Sequence, residues 1–417
     1  MIGAIADDFT GGTDVAVAFR REGLKTRLYF GVPDESAPPP EADAAVIALK
    51  SRMAPAHKAV ADSLAALEWL RAHGATQTYF KYCSTFDSTA RGNIGPVLDA
   101  LVDALGVPSV LQTPSSPAHS RTQYLGYLFV GEQLLAESPM RNHPVTPMRD
   151  SSLLRLLGAQ TTHPIGLVPH GVVRAGAPGV LQAVADAEAA GQRYLFADAV
   201  DRDDLINIGR AALHAPLVAG AAGLAGGLAG AIAESSTALL SHSIDSSYLG
   251  GEGPAVVLAG SCAARTLEQV AVMKQQGHPS YRIDPTIVDD PKELADAALE
   301  WYDSLPVGKS PLIYTSLGPA ELQRVQQLLG VQRSAKILEA AIGLTAVGLI
   351  GRGVKRIVTA GGETSGAIVT ALRIREGLIG PELAPGVPWI LTPQGVSLLL
   401  KSGNFGDPDL LSRASEA

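Results

Sequence analysis

The sequence predicts an α/β protein of two domains, each a mainly parallel sheet flanked by helices. Short apolar runs alternate with longer helical patterns from end to end, as repeated βα units require. At 417 residues the chain exceeds what one hydrophobic core ordinarily holds. Between 234 and 254 the periodicity stops and serine and glycine accumulate, ending in Gly250, Gly251, Glu252, Gly253 and Pro254. The expected division is a first domain at 1–235, a linker at 236–253 and a second domain at 254–417.

Ile2–Ala6 reads as a strand, Thr13–Arg21 as a helix, and Thr26–Phe30 and Ala44–Leu49 as strands. These strands are short, continuous and unalternating, as buried parallel strands are. Ala56–His73 is a helix that puts Val60, Leu64, Leu67 and Leu70 on one face. Thr78–Tyr82 is a strand, Ile94–Leu105 a helix and Ser109–Gln112 a strand. Leu134–Asp150 breaks the rhythm with Pro139, His143, Pro144 and Pro147, which predicts a long ordered loop or arm. The βα pattern resumes at Ile165–Val168 and continues to Leu217–Val218. Leu217–Ile232 is apolar but shorter than the roughly 20 residues a bilayer span needs; it reads as a strand entering a buried, glycine-rich turn and helix. In the second half Ala255–Ala259, Leu312–Thr315 and Arg356–Thr359 are strands and Ala263–Gln275 is a helix.

The formal charge is −8, from 33 Lys+Arg against 41 Asp+Glu, which disfavours nucleic acid or an anionic membrane as partner. Cys83 and Cys262 are the two cysteines, so no disulfide framework is expected. The N-terminus enters a strand directly, without the pattern of a signal peptide. A cytoplasmic protein is the resulting expectation. Twofold symmetry is the commonest oligomeric arrangement, which makes a homodimer the default.

Ligands of open α/β sheets bind at the carboxyl ends of strands. The first strand runs into Asp7-Asp8-Phe9-Thr10-Gly11-Gly12-Thr13-Asp14. Carboxylates there can take a hydroxyl proton or hold Mg²⁺, and Asp8, Thr10 and Thr13 can equally cap the following helix. A later strand runs into Lys81-Tyr82-Cys83-Ser84-Thr85-Phe86-Asp87-Ser88-Thr89-Ala90-Arg91. Lys81 and Arg91 flanking hydroxyl and acid side chains suit a small polyhydroxy acid, with Asp87 and Ser88 also competent to form a turn. Arg121 could add another cation. In the second half Gly260-Ser261-Cys262, Gly361-Gly362-Glu363-Thr364-Ser365-Gly366 and Lys401-Ser402-Gly403-Asn404-Phe405-Gly406 suit phosphate held on backbone N–H groups. Gly308-Lys309-Ser310 imitates the end of a Walker A motif, but Asp303 stands where its first glycine belongs. Neither C-x-x-C, H-E-x-x-H nor an EF-hand spacing occurs.

Together these motifs resemble the four-carbon acid sugar kinase family almost end to end. Phe80–Thr89, Gly92-Asn93-Ile94-Gly95-Pro96 and His143–Met148 are most similar to its 3-oxo-tetronate kinase branch. The resemblance implies a sugar-acid domain first, an ATP domain second, and an active site in the inter-domain cleft. It implies transfer of the ATP γ-phosphate, with Mg²⁺, to the substrate's 4-hydroxyl. Ser261, Gly361, Gly362, Glu363, Thr364, Gly403 and Gly406 would line the ATP site. Asp7, Lys81, Ser88, Thr89, Arg91 and Arg121 would hold the acid, and Asp8 or Asp87 would take the proton. A threonate or erythronate kinase, and a non-catalytic sensor of nucleotide or sugar acid, are the competing readings. Two departures stand out: Ser120 where the family usually has glycine before Arg-Thr, and Gly220-Ala221-Ala222-Gly223 where a serine is common.

Overall fold

The computed structural model describes residues 1–34, 40–142, 146–235 and 255–416. The expected linker at 236–253 and the His143-Pro144-Val145 stretch lie outside the described residues. Two compact units divide the chain, Met1–Ile244 and Asp245–Ala417.

The strands of the first unit are β1 (Ile2–Ala6), β2 (Thr26–Phe30), β3 (Ala44–Ala48), β4 (Gln77–Lys81), β5 (Val110–Thr113), β6 (Arg121–Tyr124), β7 (Tyr127–Val130), β8 (Gln133–Leu134), β9 (Ile165–Val168), β10 (Tyr194–Ala197) and β11 (Leu217–Gly220). Its helices are α1 (Phe9–Arg21), α2 (Ala56–Ala72), α3 (Ile94–Leu105), α4 (Leu153–Gly158), α5 (His170–Arg174), α6 (Ala177–Ala189), α7 (Arg202–Ala211) and α8 (Ala222–Ser235). The main sheet has the order β2-β3-β1-β4-β11-β5-β10-β9. Its described pairings are all parallel. β1 is wholly buried, because its Ile-Gly-Ala-Ile-Ala run offers apolar surface to helices on both faces.

Register levels the carboxyl ends of neighbouring strands. Ala6 pairs with Ala48 of β3 and Lys81 of β4, Lys81 with Gly220 of β11, and Gly220 with Thr113 of β5. Chain order departs from β1 in both directions, to β3 and β2 on one side and to β4 on the other. That is a topological switch point, where crevices open.

Three sequence expectations are corrected here. α1 starts at Phe9, four residues before the expected Thr13, because Asp8 supplies its N-cap and accepts from Gly11 N. Residues 121–134, assigned to no element, form a separate antiparallel sheet β6-β7-β8. Leu134–Asp150 begins in that sheet and then makes two short 3₁₀ turns, Leu135–Glu137 and Pro139–Asn142. Ser120 sits at φ 57°, which explains why glycine suits that position.

The second unit contains β12 (Ala255–Ala259), β13 (Ser280–Arg282), β14 (Leu312–Tyr314), β15 (Arg356–Ala360), β16 (Glu376–Ala384), β17 (Val387–Leu391) and β18 (Ser397–Lys401). Its helices are α9 (Ala264–Gln275), α10 (Pro291–Asp303), α11 (Pro319–Leu329), α12 (Val331–Gly351), α13 (Gly362–Ala371) and α14 (Leu410–Glu416). The strand order is β13-β14-β12-β15-β18-β17-β16. β13 to β18 along that order pair in parallel, and β17 and β16 close the sheet as an antiparallel hairpin. Tyr314, Ala259, Ala360 and Lys401 form a level row of strand ends. α12 is long and apolar enough to cross a membrane, but it packs against α10 and α13 inside the unit.

Candidate active site

In the first unit the row of strand ends gathers charge. Asp7 and Asp8 follow β1, Lys81 ends β4, and Arg52 arrives on the Leu49–Arg52 turn after β3. That turn is bound to the acids through backbone: Ser51 N and Arg52 N both donate to Asp7 O, at 2.9 and 3.0 Å. Asn93, before α3, fixes it from the other side by donating to Ser51 O and Ala54 O, at 2.8 and 2.9 Å.

Arg52 is the centre of the cluster. Its Nε and Nη2 donate to the two carboxylate oxygens of Asp7, each at 2.8 Å. Its Nη1 lies 2.7 Å from Asp8 Oδ2. Burial works against the guanidinium charge; Asp7 and then Asp8 outweigh it and raise its pKa further. Burial also pushes the Asp8 carboxyl up, but Arg52 and then Lys81 outweigh it and hold Asp8 below the usual carboxylate range. The Gly11 N–H, 2.6 Å from Asp8 Oδ1, acts in the same direction.

The two acids therefore differ. The Asp7 side chain is 7 % exposed with both oxygens committed to Arg52, whereas that of Asp8 is 26 % exposed. Gly11 lets the acid and the cation come close to the backbone: a Cβ there would lie 2.4 Å from Asp8 Oδ1 and 3.2 Å from Lys81 Nζ. Lys81 is buried and donates to Tyr82 O at 2.9 Å.

The loop after β4 forms a second cluster. Thr85 Oγ1 donates to Asp87 Oδ1 at 2.6 Å, and Cys83 Sγ lies 3.2 Å from Asp87 Oδ2. Burial, then Asp87, push the Cys83 thiol up to about 11, so it stays protonated. Ser88 is buried and accepts from Gln160 Nε2 at 2.8 Å, while Thr89 and Arg91 are exposed. Arg121 sits on β6, bridged to Ser116 just past the end of β5, and donates to His119 O.

The second unit builds its edge from backbone. Gly260-Ser261, Gly361-Gly362 and Ser402-Gly403 follow the adjacent strands β12, β15 and β18. A Cβ on Gly260 would lie 2.2 Å from Thr364 Oγ1, and one on Gly403 would lie 2.5 Å from Ser261 Oγ. Gly361 has φ 124°, open only to glycine without strain, and caps α13 with no side-chain bond. The first-turn N–H groups of α13 have no partner within the helix, and Gly362 and Glu363 are exposed. A helix N-terminus of this kind can hold an anion. Ser316, just past β14, has a buried Oγ without a partner among the described residues. Gly406, at φ 80°, turns the chain against Leu410. Lys401 is fully buried, and burial, then Arg265, push its ammonium down to about 7.

Comparison with known proteins decides the family. Residues 2–228 match the sugar-binding N-terminal domain, and residues 256–411 match the nucleotide-binding C-terminal domain. The chain belongs to the four-carbon acid sugar kinase family. A family member from Cupriavidus necator, described as 3-oxo-tetronate kinase, is 45% identical over 99% of this chain and 96% of its own. One of the same description from Haemophilus influenzae is 39% identical over 99% of both chains. Among solved structures, Haemophilus influenzae protein HI1011 has a TM-score of 0.81 at 39% identity, covering 99% of each chain. A Salmonella typhimurium LT2 protein described as a tRNA synthase has a TM-score of 0.90 at 41% identity, covering 99% of this chain and 98% of that one.

Sequence reasoning missed Arg52. It follows a recognised strand, so inspecting the end of that strand as closely as those of β1 and β4 would have found it.

Proposed function

We propose that this chain is an ATP-dependent kinase that phosphorylates the 4-hydroxyl of 3-oxo-tetronate, giving 3-oxo-tetronate 4-phosphate and ADP. The similarity that carries the substrate is to relatives described as 3-oxo-tetronate kinase, 39 to 45% identical over nearly the whole chain. The site supports the reaction class through one observation: Asp8 is an ionised, partly exposed carboxylate held by two cations at a strand end. The formal charge of −8 opposes a tRNA substrate, whose phosphates bind through cationic surface.

In this reading residues 1–235 bind the sugar acid, 236–253 link, and 254–417 bind ATP. Asp8 takes the proton of the 4-hydroxyl, the hydroxyl oxygen bonds to the γ-phosphorus, and the bond to the β-phosphate oxygen breaks to release ADP. Arg52 and Asp7 orient Asp8. Lys81, Arg91 and Arg121 supply positive charge for the carboxylate, with Ser88 and Thr89 as hydroxyl partners. Asp87, engaged by Thr85, is the alternative base. Ser261, Gly361–Thr364, Gly403 and Gly406 hold ATP, for which the glycines let the loops after β12, β15 and β18 pack closely together and the first-turn N–H groups of α13 provide donors. Among the described residues no group of three or more His, Cys, Asp or Glu side chains forms a metal cage. Mg²⁺, when bound with ATP, would be held chiefly by the nucleotide's own phosphates and would neutralise their charge. Two free cysteines suit a reducing cytoplasm.

The test is ADP release in the presence of Mg²⁺-ATP, measured against 3-oxo-tetronate, D- and L-threonate, and D- and L-erythronate. Turnover confined to the 3-oxo acid is expected. Turnover on a hydroxy acid instead would overturn the substrate, and saturable binding without turnover would favour a sensor.

A further inference from the structure

We propose that Lys401 is the positioning residue of the nucleotide site, its side chain holding the 402–403 backbone in the arrangement that accepts phosphate. The inference rests on reading these loops as the ATP cradle. Lys401 is fully buried at the end of β18, so its ammonium acts through what it holds.

Donors and acceptors match one to one. In its charged form the side chain has three N–H donors, and its partners are Thr266 Oγ1 at 3.0 Å, Ser402 O at 2.8 Å and Gly403 O at 3.0 Å. The Thr266 hydroxyl proton goes to Gly403 O at 2.7 Å, so Thr266 can only accept from Lys401. Gly403 O thus receives two donors. That turns the 402–403 carbonyls inward, away from where they would repel a phosphate.

The same residue reaches the neighbouring loop. Lys401 O accepts from Gly361 N at 2.8 Å, fixing the turn that opens α13. Gly403 in turn lies against Ser261, so the ends of β12, β15 and β18 meet around this lysine. A buried ammonium is costly unless every donor is matched, and an apolar side chain would fill the space at lower cost. An apolar chain would leave the Ser402 carbonyl without this donor.

The experiment measures ATP binding by calorimetry and steady-state kinetics in full-length Lys401→Met, which keeps length and removes the donors. The expected result is an ATP KM raised about 10- to 100-fold, the loss of hydrogen bonds from a charged group, with sugar-acid KM unchanged and kcat within about threefold. An unchanged ATP KM, or equal changes in both KM values, overturns the proposal. If Lys401→Met does not fold, Thr266→Val decides: ATP KM rises about three- to tenfold if the relay matters and stays put if it does not. Gly403→Val is titrated with ATP alongside. If it binds ATP like the parent chain, the cradle itself is misread; if it loses ATP while Lys401→Met keeps it, only the role of Lys401 fails.

Discussion

The two units solve the same geometric problem with different materials. Each lines up the carboxyl ends of parallel strands, Ala48, Ala6 and Lys81 in one and Ala259, Ala360 and Lys401 in the other. At the first edge the groups beyond the strand ends are charged side chains, with Arg52 set between Asp7 and Asp8. At the second they are glycines and N–H groups, with the one lysine of that row of strand ends turned inward. The first edge should be sensitive to charge at constant volume, and the second to volume at constant charge. A carboxylate that takes a proton must be ionised at the working pH, which the neighbouring cations ensure. A polyphosphate needs close approach to several fixed dipoles, which a Cβ would obstruct.

The sharpest contrast comes from Asp8→Asn, which changes charge and almost no volume. Loss of a general base predicts kcat lowered about 10²- to 10⁴-fold with ATP affinity intact. Normal turnover would remove Asp8 from the chemistry and direct attention to Asp87. Next, Gly403→Val adds volume without charge. Overpacking against Ser261 costs about 1–3 kcal/mol, so calorimetry should show ATP affinity lowered about 5- to 150-fold while sugar-acid affinity is retained. A loss of both affinities would mean the two edges are not separable in this way.

Arg52→Met tests how charge tunes the first edge. Asp8 is held low, so its ionised form persists through neutral pH and is lost only as pH falls through the depressed pKa. Without Arg52 the largest influence opposing burial is lost and that pKa rises, with Lys81 and the Gly11 N–H still holding it down in part. The acid limb of kcat/KM should move about 1–3 pH units upward, and an unmoved limb would show that Arg52 does not govern the base. The smallest effect is expected for Arg91→Ala. Arg91 is exposed, so its removal should raise sugar-acid KM no more than about fivefold, the scale of a solvated ion pair. A larger rise would place the carboxylate on Arg91 rather than on the buried cations.

Much of this was legible in order along the chain. β1, α3, β9 and β12 have the bounds their apolar patterns predicted, because Asp7, Gly106, Pro169 and Gly260 end their apolar runs. The glycines that follow β12, β15 and β18 were legible too, since each turn carries them in sequence. The β6-β7-β8 sheet was not, because its strands are short and carry Arg121, Gln123 and Gln133 among apolar residues. Ser88 is expected from the sequence to hold the acid or form a turn, and its bond from Gln160, 72 residues away, could not be read there.

By itself the sequence determined the α/β class, the run of acids after the first strand and the glycines after later ones, because each depends on residues adjacent in the chain. Only the tertiary structure decided that Arg52 meets Asp7 across 45 residues and that Lys401 meets Thr266 across 135. Those pairings depend on strand register and helix packing. They decide which carboxylate is occupied, which is available and which ammonium is buried, and no local pattern encodes them.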